Sequence, residues 1–387
     1  MNPQQKVPLW RDDRFWKVII QVIVVVAVIA FVSLLINTLP LNLKKTGGTL
    51  SNFGFLDSTA GFSISESLIP YSPTDPYARV LLAGLLNSLR VIVAGIILTT
   101  LLGSAAGIAY FSDNWLLRKI SVVYVEIVRN TPLLLQLLFW YGIFLQLPAL
   151  DQKVGVFNSI FLSRRGIYVP WPKSPIIWVW LGVLLAGVVA AFFVGRWRIN
   201  AIVEQGQSGQ TQQKILWGMG ILGLLIVIFG FGWNFPQATE EGVRGVTGGL
   251  RLTIELAALL VGLVVYTGAY IAEIVRSGIQ SVPKGQWEAA RSLGLRSGEV
   301  MQLVVFPQAL RVIIPPLNSQ YMNLAKNSSL AIAVAYPDIY NVANTTFNQS
   351  GQVVEVMLII MATYLGINLL ISLCMNLLNR SVQLKER

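Results

Sequence analysis

The chain has no histidine and a single cysteine, Cys374. The first absence removes the commonest general base and metal ligand, and the second leaves no intrachain disulfide and no cysteine-rich metal site. Charge is sparse as well: Asp, Glu, Lys and Arg make up 12% of 387 residues, where a soluble domain carries about a quarter. No Gly-x-x-x-x-Gly-Lys-Ser/Thr phosphate loop occurs anywhere, so the chain does not cradle a nucleotide in that way. Enzymatic side-chain chemistry has little to work with. Apolar residues, at 54%, dominate instead, and they are gathered in long runs. The chain reads as an all-α polytopic membrane protein.

Eight runs are long enough to matter, at 18–36, 81–111, 132–147, 176–195, 215–233, 252–274, 309–335 and 353–378. A hydrocarbon core of about 30 Å needs about 20 residues of helix. Eight spans put both ends of the chain on one side. A basic stretch, Lys6 to Lys17, precedes the first run, which is longer than a signal-peptide core and lacks a small-residue cleavage site after it, so it reads as an anchor. Counted along this topology, 17 Lys and Arg fall on the side of the termini and nine on the other. That bias makes the terminal side cytoplasmic. Ser163-Arg164-Arg165 falls outside, against the rule, so the pair of spans at 176–233 is the least secure. The interval 41–80 mixes glycine, serine and proline with Phe53, Phe55, Phe62 and Tyr71, which suggests a structured external loop.

Residues 282–307 form the most polar interval of the hydrophobic C-terminal half. Glu288, Ala289, Ala290 and Arg291 favour helix, Gly294 stands where a left-handed cap is wanted, and Ser297 is placed to cap a second helix. Trp287, Ala290 and Leu293 share one face, with Glu288 and Arg291 as an i, i+3 pair beside it. The interval predicts two short helices and a turn, on the cytoplasmic side.

Polar groups inside spans are costly and mark function. Pro132 suits a helix start with Asn130 or Thr131 as its cap. Glu126, Arg129, Thr131 and Gln136 then surround a helix N-terminus that can receive a carboxylate, or else Arg129 snorkels to the interface and Glu126 pairs with it. Lys326 lies ~16 Å along the helix beyond Pro315, about mid-membrane. Gln320, Asn323 and Asn327 share its face, and Ser328 and Ser329 can satisfy freed backbone groups where the helix is interrupted. Such a stripe faces a pathway or another subunit. Glu273 with Arg276, and Arg251 with Glu255, read as local ion pairs at the two ends of one span.

Glu288-Ala289-Ala290, then Gly294, Val304, Phe306 and Pro307 at the right spacings, resemble the EAA loop of ABC importer membrane subunits, with Val and Phe as the departures. Glu126 to Pro132, Glu273 to Ile279, Phe306 to Arg311 and Lys326 to Leu330 narrow the resemblance to permeases for histidine, glutamine and general L-amino acids. The external loop is similar to that of the longer general L-amino-acid members.

The resemblance implies a type I importer permease in a bacterial inner membrane, with Trp287, Glu288, Ala289, Ala290, Arg291, Gly294 and Pro307 coupling to an ATPase. It implies further partners: ABC ATPase subunits that bind ATP and Mg, a second permease in a homodimer or heterodimer, and a periplasmic amino-acid-binding protein. No cofactor is expected in this chain. The expected organisation is a cytoplasmic tail at 1–17, anchor and periplasmic loop at 18–80, core at 81–147, insertion at 148–250 and core again at 251–387. The residues leave two other readings, an ion-coupled secondary amino-acid transporter and a non-transporting scaffold. The first would show repeated halves, which are not found; the second would not need Lys326 at mid-membrane.

Overall fold

The computed structural model describes residues 53–148, 154–156, 159–173, 175, 177–203, 206, 208–238 and 246–382, with Val26, Ala30 and Ser33. The expected tail at 1–17 and, apart from those three positions, the expected anchor at 18–36 lie outside the described residues.

The remaining apolar runs all become helix. With the helices between them, the described residues form α1 (Tyr77–Ala109), α2 (Trp115–Arg129), α3 (Leu133–Leu145), α4 (Ile177–Val203), α5 (Gln210–Leu225), α6 (Ile254–Gln280), α7 (Lys284–Ser292), α8 (Phe306–Asn327), α9 (Ile339–Ser350) and α10 (Val353–Val382). Among the described residues six helices are long and apolar enough to cross a membrane. The pair α2 and α3, bent by 108°, makes a seventh if it is one broken span. Sequence reading missed α2 and α9, because neither is an apolar run. Each is amphipathic, with polar residues on one face.

The bend between α2 and α3 has a local cause. Pro132 has no N–H and disfavours helix in the residue before it, so α2 cannot continue. Asn130 and Thr131 do not cap α3, as the sequence suggested. Their side chains donate backwards, to Glu126 O at 2.8 Å and Ile127 O at 2.9 Å, and close α2. The N-cap position of α3 is Pro132 itself, which offers no side-chain bond. Gln136 then fixes the corner by donating to Val128 O and Thr131 O, each at 3.0 Å.

Helix α6 is the central element: 56% of its most apolar stretch is buried, against 0% for the windows in α4 and α5. It packs on α1, α2, α3 and α8. Small residues let α1 approach it closely. A Cβ at Gly103 would meet Ile271 Cβ at 2.6 Å and Gly268 O at 2.8 Å. Thr99, Gly103 and Gly107, all buried, repeat at four-residue spacing along the contact, and Gly95 one turn earlier faces Leu324 of α8. The pair α4 and α5 packs chiefly on itself and turns its apolar side chains outward, as lipid-facing helices do.

At one end of the bundle the loop 53–76 folds onto α1 and α9. Phe55, Ala60, Tyr77, Val80, Ile339 and Val342 share a buried cluster there. The carboxylate of Glu66 pairs with Arg90 and accepts from Thr253 Oγ1 at 2.7 Å, and Thr253 also caps α6 through Leu256 N. The same end carries a four-stranded antiparallel sheet, β1 (Val154–Val156), β2 (Ile160–Ser163), β3 (Gly166–Val169) and β4 (Leu250–Leu252), in which β4 pairs with β3. The unexpected Arg164 and Arg165 form the β2–β3 hairpin. Arg251 donates to Arg165 O at 2.9 Å rather than pairing with Glu255, which corrects that expected ion pair.

Candidate functional site

The opposite end carries α7. Pro283 opens the helix without a side-chain cap, and Gly294 closes it with φ +78. Gly294 N donates to Arg291 O at 2.9 Å and Leu295 N to Ala290 O at 3.4 Å, the paired bonds of a Schellman ending. The second helix begins differently from expectation. Arg296, not Ser297, is the cap, and Glu299 Oε2 accepts from Arg296 N at 3.0 Å. A π-helical segment, Val300–Val305, then leads into α8.

One face of α7 is buried and the other is open. Ala290 is 3% exposed and shares a cluster with Val282, Val275 and Ile279 of the α6 side and with Val305, Ala309 and Ile313 of the α8 side. Trp287 is half-buried against the same cluster. Glu288, Ala289, Arg291 and Gly294 are exposed, and Leu293 is 82% exposed. The expected face of Trp287, Ala290 and Leu293 is therefore split, since the helix ends before Leu293 and the chain turns it outward. Glu288 and Arg291 form no ion pair among the described residues; both heads are free. Gln286 Oε1 accepts from Gln308 Nε2 at 3.4 Å, tying α7 to the first turn of α8, next to Pro307.

A second polar group surrounds the α2–α3 corner. A cavity of about 460 Å³ opens between the end of α1, α2 and α6, lined by Tyr110, Glu126, Arg129, Tyr270, Glu273 and Arg276 among others. Glu273 and Arg276 form the expected ion pair, with Arg276 Nε donating to Oε2 at 3.0 Å. Arg129 comes from α2 to the same carboxylate, at 3.7 Å, and lies over the Tyr270 ring at 5.3 Å. Arg276 lies over Tyr110 at 4.9 Å. Neither Glu273 nor the tyrosines were singled out with Arg129 by the sequence; the partners are far apart in the chain, and only the tight packing of α2 on α6 joins them.

The expected stripe on α8 is present but separate. Asn323 and Lys326 are exposed, and Gln320 and Asn327 half-exposed. Ser328 and Ser329 mark the break of α8 into a 3-10 turn, Ser328–Val334. Their hydroxyls donate to Ala325 O at 2.8 Å and Lys326 O at 2.7 Å. Ser328 is buried, so it supports the break and presents no group outward. Lys326 follows Leu324 and Ala325, which pack on Ile92 and Ile367, midway along α1 and α10. None of the four stripe side chains lines the cavity at Arg129. No group of three or more potential ligands capable of holding a metal occurs among the described residues.

Residues 214–384 match the family described as binding-protein-dependent transport system inner membrane component. The putative amino-acid ABC transporter permease protein YhdX of Escherichia coli is 45% identical over 97% of this chain and 95% of its own length. The general L-amino acid transport system permease protein AapQ of Rhizobium johnstonii is 42% identical, over 97% and 94%. The glutamate/glutamine/aspartate/asparagine transport system permease protein BztB of Rhodobacter capsulatus is 39% identical, over 97% and 96%. Similarity of that extent covers α4 and α5 and the loop 53–76 as well as the core. The chain belongs to the inner membrane components of binding-protein-dependent transport systems, as a permease subunit of an ABC importer.

Proposed function

We propose that this permease carries polar or general L-amino acids across the plasma membrane, and that α7 is the element through which a separate ATPase drives it. One observation supports the coupling role above the rest: the buried face of α7 is continuous with α6 and α8 in a single apolar cluster, while its other face is open. A helix set in that way moves as one body with the two spans it joins, because close-packed interiors transmit displacement. Glu288, Ala289, Arg291 and Gly294 meet the ATPase. Trp287, Ala290 and Pro307 hold α7 to the spans. ATP and Mg bind on the ATPase.

The amino-acid class is carried over from the full-length relatives, whose names span general L-amino acids and the acidic residues with their amides. Glu126, Arg129, Thr131 and Gln136 at the α2–α3 corner and Gln320, Asn323, Lys326 and Asn327 on the α8 stripe make up the polar route, with the buried Ser328 supporting the helix break behind it. A second permease covers the α8 stripe and closes the route. The α7 end faces the cytoplasm of a bacterial cell, as do both ends of the chain, and the end with loop 53–76 receives substrate from the binding protein. Residues 81–147 and 251–387 form the transport core, with 148–250 inserted.

Proteoliposomes containing this chain with its partner permease, ATPase and binding protein test the reading. ATP-dependent uptake of labelled L-amino acids, absent without the binding protein, is expected. Uptake driven by a proton gradient without ATP would overturn it.

A further inference from the structure

The cavity at the α2–α3 corner holds two opposite charges, Arg129, whose one ion pair is a long approach to Glu273, and Glu126, which has no ion pair among the described residues. Arg276 places two donors on Glu273 and so occupies both of its oxygens. Arg129 is left with a 3.7 Å approach to that carboxylate and with no hydrogen bond to any described residue. Its guanidinium is held in place by the Tyr270 ring, which is itself linked to Tyr266 through a 3.3 Å hydroxyl contact. Glu126 lies one turn earlier on α2, lines the same cavity, and makes neither an ion pair nor a side-chain hydrogen bond among the described residues. A guanidinium presents planar paired donors that suit a carboxylate. A free carboxylate on the same wall suits an ammonium. The volume, about 460 Å³, is in the range of small-molecule sites, about 300–1,000 Å³, and aromatic faces flank it.

We propose that this cavity is a binding site for one zwitterionic α-amino acid within the permease, in which Arg129 takes the α-carboxylate and Glu126 the α-ammonium. The site lies within one subunit, against the helix that leads into α7, and it is distinct from the Lys326 stripe. Recognition of the two groups that all α-amino acids share suits a carrier of many of them. The assignment rests on the reading that the chain moves amino acids.

The test uses the assembled permease–ATPase complex in lipid nanodiscs without the binding protein. The probe is the labelled amino acid that the reconstituted wild-type importer takes up fastest. Saturable binding is expected, displaced by other α-amino acids and not by the decarboxylated amine of the same side chain. Arg129→Met should weaken binding at least tenfold, about what one charge-assisted bond supplies. Val125→Trp, which fills the cavity from its wall and leaves both charged residues in the sequence, should abolish it, and it carries the test if Arg129→Met does not assemble. Unchanged binding in both variants, displacement by the amine, or no saturable binding to a wild-type complex that still transports would overturn the site and leave the transport reading standing. Failure of the wild-type importer to take up any amino acid would instead remove the transport reading and the site with it.

Discussion

Thr253 Oγ1 donates to Glu66 Oε2 at 2.7 Å, across 187 residues of chain. The bond joins the loop 53–76 to the first turn of α6, while Arg90 of α1 pairs with the same carboxylate. Side-chain exposures of 18% and 14% place this pair out of bulk water. Removing Glu66 leaves a half-buried guanidinium without its counter-charge, a loss of about 3 kcal/mol. Glu66→Ala should lower the thermal midpoint of the detergent-solubilised protein markedly, and Glu66→Ala combined with Arg90→Met should recover much of the loss. A single variant as stable as wild type would show that the loop is not held by this pair.

Gly103 tests the packing of α1 on α6. The contact leaves no room for a Cβ against Ile271 and Gly268, so Gly103→Leu must separate the two helices. Overpacking of this kind costs about 1–3 kcal/mol or more. Loss of monodisperse protein in size-exclusion chromatography is expected. Gly218→Leu, at a position with nothing within 4 Å, should behave as wild type.

Asp338 caps α9, accepting from Asn341 N at 2.8 Å, and lies outside the membrane-spanning helices. Burial pushes its carboxyl up from 3.8 to about 7. Between those two values the folded protein keeps a proton that the unfolded chain has lost, so stability falls as pH rises from about 4 to 7 and is flat above. The thermal midpoint should therefore be higher at pH 5 than at pH 8. Asp338→Asn keeps a capping oxygen and removes the titration. Its pH dependence over this range should be weaker, and an undiminished slope would place the titrating group elsewhere.

Lys326 stands exposed in the last turn of α8 with no partner among the described residues. Lys326→Met should leave assembly intact and lower amino-acid uptake by about tenfold, as loss of one charged contact does. Normal uptake would make the lysine a surface residue without a part in transport.

The spacing of Glu288, Gly294 and Pro307 made α7 legible, because a Schellman turn and a short amphipathic helix are local and depend on neighbouring residues only. The long spans were legible for the same reason. What escaped the sequence was assembled from distant parts: Arg129 on Glu273, Glu66 on Thr253, and β4 returning to β3. Helix α2 left a usable signal, in Leu116, Leu117, Ile120, Val123, Tyr124 and Ile127 at helical spacing; its apolar face was hidden by Arg118, Lys119 and Glu126 within the same stretch. Ser328 and Ser329 were read for their backbone role, and the structure gives them that role.

The coupling role of α7 is tested most directly by Gly294→Trp. A side chain at Gly294 meets open space in this chain, and leaving the left-handed conformation to an L-residue costs only about 1–2 kcal/mol, so the permease should still fold. Purified from its native membrane through a tag, the wild-type chain should bring an ATP-hydrolysing subunit with it in stoichiometric amount. The account predicts that Gly294→Trp reaches the membrane at normal levels and brings down little or none. Full recovery of the ATPase with the variant, together with normal ATP-driven uptake, would contradict the assignment of α7 as the coupling element.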